Sequence, residues 1–445
     1  VAPRIRTPNH ALAALITETH WNNGEFARAV NRTGTEGGQR LKYDDSAVSH
    51  WLTGTRPMPK SQAAVLETLA RRLGRPVSAA DAGFRDRRDP PAVSTDTVAE
   101  LIDLGSLDMD PTRRGVLSAG LYSVALAVPG WPDGLGRFQQ LRTDPHRRIG
   151  MAEVDAVTGM TGRLSEMDDQ YGGRAVRPLA AAFLVNTIVP HLRASASEKI
   201  RKALLSAASD HLYLTGYMAV DERLDQLGQR YYTKALELAL AAEDPVTYRT
   251  ALRGMSVQAV ELGHGAAALR FADAASAVSQ HAGPRMRAFL SGQQAHALAQ
   301  TGDRRAALAK IREAEAAMEK AESAATAHGS YDPASMNYHT AQVNFLLGDH
   351  TTAIQGLELS EKMRSLVYRR ARVRHRAMLG EWKLQAGRLE EACREWHSAL
   401  DDYPHVQSGR ADDRVRTMIA SLRPHLSTAC ARELIERALP LARAA

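Results

Sequence analysis

Cysteine is almost absent from this chain of 445 residues, which carries only Cys393 and Cys430. The two show no CxxC spacing and no matching histidine cluster, so neither a disulfide framework nor a zinc site is expected, and a reducing cytoplasm is the expected compartment. Aromatics are also scarce, at 5% of residues. No run of about 18 apolar residues occurs and no charged-then-apolar segment stands at the start, so no membrane association and no secretion are expected. The paired Arg113 and Arg114 ahead of an apolar stretch look like an export signal, but the hundred residues before them make a buried helix starting at Asp110-Pro111 the expectation. Walker, GxGxxG, HExxH and GxSxG patterns are missing, and the 16 histidines lack metal-ligand spacing. No catalytic residue, metal or cofactor is therefore expected, and the chain reads as a non-enzyme. Asp168 and Asp169, adjacent on a helix, point about 100 degrees apart and read as helix-end charges rather than an acid pair.

What is present is helix-forming. Ala, Leu, Arg and Glu recur, side chains that lose little rotamer freedom in a helix, so the fold is expected to be all-α. The formal charge of +7 is unevenly placed. Residues 1–90 hold 14 Lys and Arg against 9 Asp and Glu, whereas the remaining residues hold 43 against 41. The basic part is the first fifth of the chain, where a phosphate-binding footprint would sit.

Helical spacing divides the start of the chain into four short helices. Asn9 caps the first, with Leu12, Leu15 and Ile16 inward; Asn22 or Asn23 caps a second over Glu25 to Asn31. After a Gly-rich insert, a third starts at Asp44 or Asp45, buries Val48, Trp51 and Leu52, and stops at Gly54. Ser61 is expected to cap the fourth, which ends at Gly74. The expected domains are 1–84, a small DNA-binding unit; 85–150, a Pro-rich linker, connecting helices and a turn at Trp131-Pro132-Asp133-Gly134; 151–404, a repeat array; and 405–445, capping helices.

The array announces itself by register. Taking Arg223, Gly263, Gly302, Gly348 and Gly387 as turns, the positions seven before, five after and twelve after are Gly, Ala or Ser in all five units. Small residues at those offsets let two antiparallel helices approach closely, which marks a helical hairpin. This offset set, with Pro404 at the end of the last unit, resembles tetratricopeptide repeats over about residues 205–405, although the units recur every 39 to 46 residues rather than about 34. A more degenerate hairpin is expected over 151–204, and a capping pair over 411–439.

The third helix leaves Ser46, Ala47, Ser49, His50 and Thr53 on its outer face, short groups able to approach base edges. Arg28, Arg32, Arg40, Lys42, Arg56 and Lys60 frame it as phosphate contacts. The segments EFARAV and SAVSHWLTGTRPMP, followed by LARRLG, resemble the helix-turn-helix of phage-repressor-like (XRE-type) regulators, especially actinobacterial ones of the Streptomyces type. One departure is the gap of about fifteen residues between Val30 and Ser46, which leaves the docking angle open. The resemblance implies a cytoplasmic, nucleoid-associated transcription regulator binding double-stranded DNA as a homodimer, acting in development or antibiotic production. The repeat resemblance implies a groove for a peptide or protein ligand lined by Tyr213, Tyr217, Arg253, Val257, His296, Tyr338, Gln342, Phe345, Arg374 and Glu381. The alternative is a non-enzymatic scaffold that recruits a partner through its repeats without reading DNA. The dense basic run Tyr368 to Arg376 reads as a solvated helix face.

Overall fold

The computed structural model describes residues 7–36, 39–75, 77–84, 97–109, 122–124, 144–278, 282–321 and 331–444. The fold is all-α, a small helical unit followed by stacked helical hairpins. The linker expected over 85–96, the helix expected at Asp110-Pro111 and the turn at Trp131 lie outside the described residues.

The small unit consists of α1 (His10–Glu18), α2 (Asn23–Glu36), α3 (Asp45–Leu52) and α4 (Pro59–Leu73). Asn9 caps α1 through the Leu12 N–H, and Asn22 and Glu25 cap α2 reciprocally. Such caps satisfy N–H groups that a helix start leaves without partners. The second helix is longer than its apolar pattern suggests, because Thr33 and Gly34 continue its buried face and take part of the insert into the helix. Ser61 does not cap α4, which starts at Pro59; Ser61 is buried in the first turn and accepts from the Tyr43 hydroxyl at 2.8 Å.

After α5 (Thr97–Met109), residues Asp144–Arg148 form a strand, β1, rather than a helix, and it pairs in parallel with β2 (Ala194–Ser195). Between them α6 (Met151–Tyr171) and α7 form the first hairpin. Helix α7 runs from Gly173 to Phe183, widens into a π-turn over Leu184–Ile188, and continues over Val189–Arg193. Pro190 lies just past the widened turn; it donates no N–H and crowds the preceding turn, so the helix accommodates it by widening. Although α7 is long and apolar enough to cross a membrane by composition, it buries Arg177 against Asp108 and Glu222 and serves as a core helix.

Five hairpins follow: α8 (Glu198–Asp221) with α9 (Asp225–Ala242), α10 (Pro245–Glu261) with α11 (Gly265–Ala277), α12 (Pro284–Thr301) with α13 (Arg304–Glu319), α14 (Pro333–Leu346) with α15 (His350–Met363), and α16 (Arg369–Gln385) with α17 (Leu389–Asp402). All five register residues sit in the left-handed region, with φ between 65° and 88°. The small positions face across each hairpin. A Cβ on Gly380 would stand 2.6 Å from the Trp396 ring, and the hydroxyls of Ser256 and Ser360 donate to Ala268 and Ala334 carbonyls on the facing helix. A last pair, α18 (Gly409–Leu422) and α19 (Ala429–Ala444), covers the end.

The array curves until its end meets its beginning. Gln407 donates to the Tyr171 carbonyl at 2.7 Å and accepts from the Arg174 N–H at 3.1 Å. At this seam a Cβ on Gly172 would lie 2.4 Å from the Gln407 carbonyl oxygen, and one on Gly409 would lie 2.9 Å from the Glu222 backbone. Only glycine permits that approach.

Candidate nucleic-acid interface

The outer face of α3 is built by what its inner face buries. Asp44 accepts from the Ala47 N–H and starts the helix, while Val48 and Trp51 enter the core and the Tyr43 ring packs edge-on against Trp51, centroids 4.8 Å apart. That leaves Ser46, Ser49, His50 and Thr53 exposed, with Ala47 half-buried at the margin and packed on the core. The Thr53 hydroxyl donates to the His50 carbonyl at 3.1 Å, so of this group Thr53 presents mainly its methyl. The angle between α2 and α3 is fixed by Asn31, whose side-chain amide donates to the Tyr43 carbonyl and accepts from the Tyr43 N–H, both at 2.8 Å. This two-bond clamp spans the insert. No sequence pattern marks it, because an Asn twelve residues from a Tyr carries no periodic signal.

Charge in the small unit is unevenly paired. On α4, Arg71 pairs with Glu36 and Glu67 and Arg72 donates to the Thr19 carbonyl and lies over the Trp21 ring; just past its end, Arg75 pairs with Glu18 at 2.6 Å. Arg28, Arg32, Arg40, Lys42 and Arg56, by contrast, are exposed and form no ion pair among the described residues. Glu18, Glu36 and Glu67 are thus paired with arginines, whereas the five exposed cations, carried by α2 and by the segments before and after α3, are not. The Lys60 side chain lies outside the described residues, although its backbone belongs to α4. Met58, at the start of α4, is 57% exposed and escapes sequence reasoning, which places methionines inside.

The opposite side of the small unit is docked on the array through a short strap, residues 122–124. Buried Glu67 accepts from the Ser123 hydroxyl and the Val124 N–H, both at 2.9 Å, while Gln229 of α9 brackets Ser123 from the far side. Tyr122 stacks on His264, centroids 5.5 Å apart, and Arg270 of α11 donates to the carbonyls of Gly74 and Val124. One apolar cluster therefore runs from α1–α4 through Tyr122 and Val124 into α8–α12.

The lining residues expected from the array are engaged with other side chains of the fold. Tyr213 lies against Tyr232, Arg253 over the Phe289 ring, and buried His296 beside His339. Tyr338 stacks on His375 and accepts from Gln342, Phe345 stacks on Trp382, and half-buried Val257 packs against the core. Arg374 pairs with Glu261 at 3.1 Å, and Glu381 accepts from Arg414 at 2.5 Å. Tyr217 lies beneath two guanidiniums, Arg370 and Arg410.

The basic run is not a solvated face. Arg370 is buried and reaches Asp168 at 3.0 Å, Asp169 at 2.9 Å and Asp221 at 3.5 Å, so the two adjacent aspartates in the last turn of α6 also join a charge cluster on a buried guanidinium. Arg410, also buried, pairs with Glu261 at 2.7 Å. Burial pushes the Asp168 carboxyl up to about 7, against the pull of Arg370. Burial alone would lower Arg370, but Asp168, Tyr217, Asp221 and Asp169 hold it well above the ordinary guanidinium value. At the seam Arg223 reaches Asp413 at 2.5 Å, beside an open cleft of about 400 Å³ lined by Arg223, Asp413, Arg414, Arg416 and Thr417. Each of these contacts joins residues far apart in sequence, which no local pattern reveals.

Residues 12–85 match the family described as the SP15 N-terminal domain, a stretch that runs from within α1 to just past the turn after α4. No curated protein matches the chain.

Proposed function

We propose that the chain is a sequence-specific DNA-binding transcription regulator that inserts α3 into the major groove of duplex DNA. The observation that carries this reading is the charge pattern: five exposed cations without ion pairs lie on α2 and on the segments either side of a helix whose outward groups are short and polar, while Arg71 and Arg75 are paired with acids of the same unit. Unpaired cations at the rim supply contacts to phosphate, and Ser46, Ser49 and His50 supply hydrogen bonds to base edges. Met58 and the methyls of Ala47 and Thr53 provide apolar surface for a thymine methyl. The strap at residues 122–124 supports a role for the array in positioning the reader, and two copies of the chain would place two readers on a symmetric site.

The reading is tested by selecting duplexes from random sequence with the intact protein and measuring affinity against salt. A single consensus with an affinity that falls steeply with salt supports it, because each phosphate contact releases counterion. No duplex binding even at low salt would sink it and leave the scaffold reading in front.

A further inference from the structure

The open cleft at the seam sets three guanidiniums, those of Arg223, Arg414 and Arg416, and the Thr417 hydroxyl around a single carboxylate, Asp413. Asp413 serves two of the three, Arg223 at 2.5 Å and Arg416 at 3.1 Å, while Arg414 turns to Glu381 at 2.5 Å. Glu261, next to Arg223, is shared in the same way, with Arg410 at 2.7 Å, Arg374 at 3.1 Å and Arg223 at 4.0 Å. Neither Asp413 nor Glu261 therefore cancels its arginines one for one. Burial raises the Glu261 carboxyl, yet Arg410, Arg374, Arg223 and Arg414 hold it below the ordinary carboxylate value, as a net positive field does.

Donors are also left over. Arg416 gives its Nε to the Asp412 carbonyl and its Nη2 to Asp413, and its side chain stays 67% exposed. Its Nη1 and the Nη2 of Arg223 make no hydrogen bond or ion pair among the described residues. A guanidinium with unspent N–H groups on an open wall fits the oxygens of a phosphoryl group.

We propose that this cleft is a binding site for a small polyphosphate, an anion carrying two or more linked phosphoryl groups. Arg223, Arg414, Arg416 and Thr417 hold it. The space, about 400 Å³, is that of a small-molecule site. Two linked phosphoryl groups match guanidiniums carried by two parts of the chain: Arg223 stands between α8 and α9, near the beginning of the array, and Arg414 and Arg416 stand on α18, at its end. A ligand that spans them binds the closed array better than an opened one, so it tightens the seam. The site uses none of the five exposed cations of the small unit and stands whether or not α3 reads DNA.

The experiment titrates the intact protein with inorganic pyrophosphate at low salt, by calorimetry, alongside Arg223→Gly, Arg416→Gln and Arg56→Ala. Glycine suits the left-handed turn that Arg223 occupies, as it does in the four later hairpins, and Arg416 is exposed, so both variants keep the fold. Expected is saturable binding at one site, weakened about tenfold or more by each cleft variant and unchanged by Arg56→Ala. Amide exchange in α18 should slow when pyrophosphate is present. The proposal is overturned if no saturable binding occurs, or if orthophosphate binds as tightly as pyrophosphate. It also falls if Arg56→Ala abolishes binding while the cleft variants retain it, or if Arg416→Gln weakens duplex binding and leaves pyrophosphate binding intact, which would give the cleft to the DNA backbone.

Discussion

Single side chains set how this fold answers to pH. His211 is buried between α6, α7 and α8; its Nε2 donates to the Ala180 carbonyl at 2.9 Å and its Nδ1 accepts from the Thr161 hydroxyl at 3.1 Å. Burial lowers its pKa to about 4, and the same cause lowers His296 and His375 to about 4. Below the ordinary imidazole value near 6.5 the unfolded chain takes up protons that the folded chain refuses, so stability is complete above that value and declines as pH falls toward 4. Going from about pH 7 to about pH 5 should cost about 2 kcal/mol for each such histidine. Urea titrations at the two pH values check this, and His211→Gln should flatten the dependence; an unchanged slope would refute it for that residue. Arg370→Met should destabilise by about 3–5 kcal/mol, because it leaves Asp221 and Asp168 buried without their cation. Its midpoint in urea is the measurement.

At the level of elements, α3 and the clamp behind it make separable predictions under the proposed function. Arg56→Ala should weaken binding to all duplexes alike and lower the salt slope by about one contact, whereas His50→Ala should change preference at one base pair by about 1–3 kcal/mol. Competition binding with single-base operator variants distinguishes them. Asn31→Ala removes both bonds to Tyr43 while leaving α3 its own cap, so it should reduce affinity with helix content unchanged by circular dichroism. The hairpins were legible in sequence because the turns and their small partners recur at fixed offsets, and α3 was legible because Asp44 and Gly54 bracket an apolar stripe. The length of α2 was not, since Thr33 and Gly34 bury a helix face without being apolar. Nor was β1, whose short pairing with β2 depends on a partner some fifty residues away. The partners of the expected lining residues were not legible either: Glu261 meets Arg374 and Arg410 only because the array bends round.

The whole molecule is governed by that bend. Arg223 occupies the left-handed turn position that glycine holds in the four later hairpins, at a backbone cost of about 1 kcal/mol, and its side chain crosses the seam to Asp413. Gly409→Val should force α18 away from Glu222, seen as a larger radius of gyration in solution scattering and a lower unfolding midpoint; an unchanged radius would count against the seam as the closing contact. An open stack of repeats behaves as a spring, stretching by small increments and fraying from either tip. Joined end to start, this stack behaves instead as a hoop. A hoop shares a local strain around its whole circumference and has no tip among its joined hairpins from which to peel, so it holds its shape until the join gives way. The small helical unit is bolted to one arc of that hoop, which makes its orientation a property of the entire circumference.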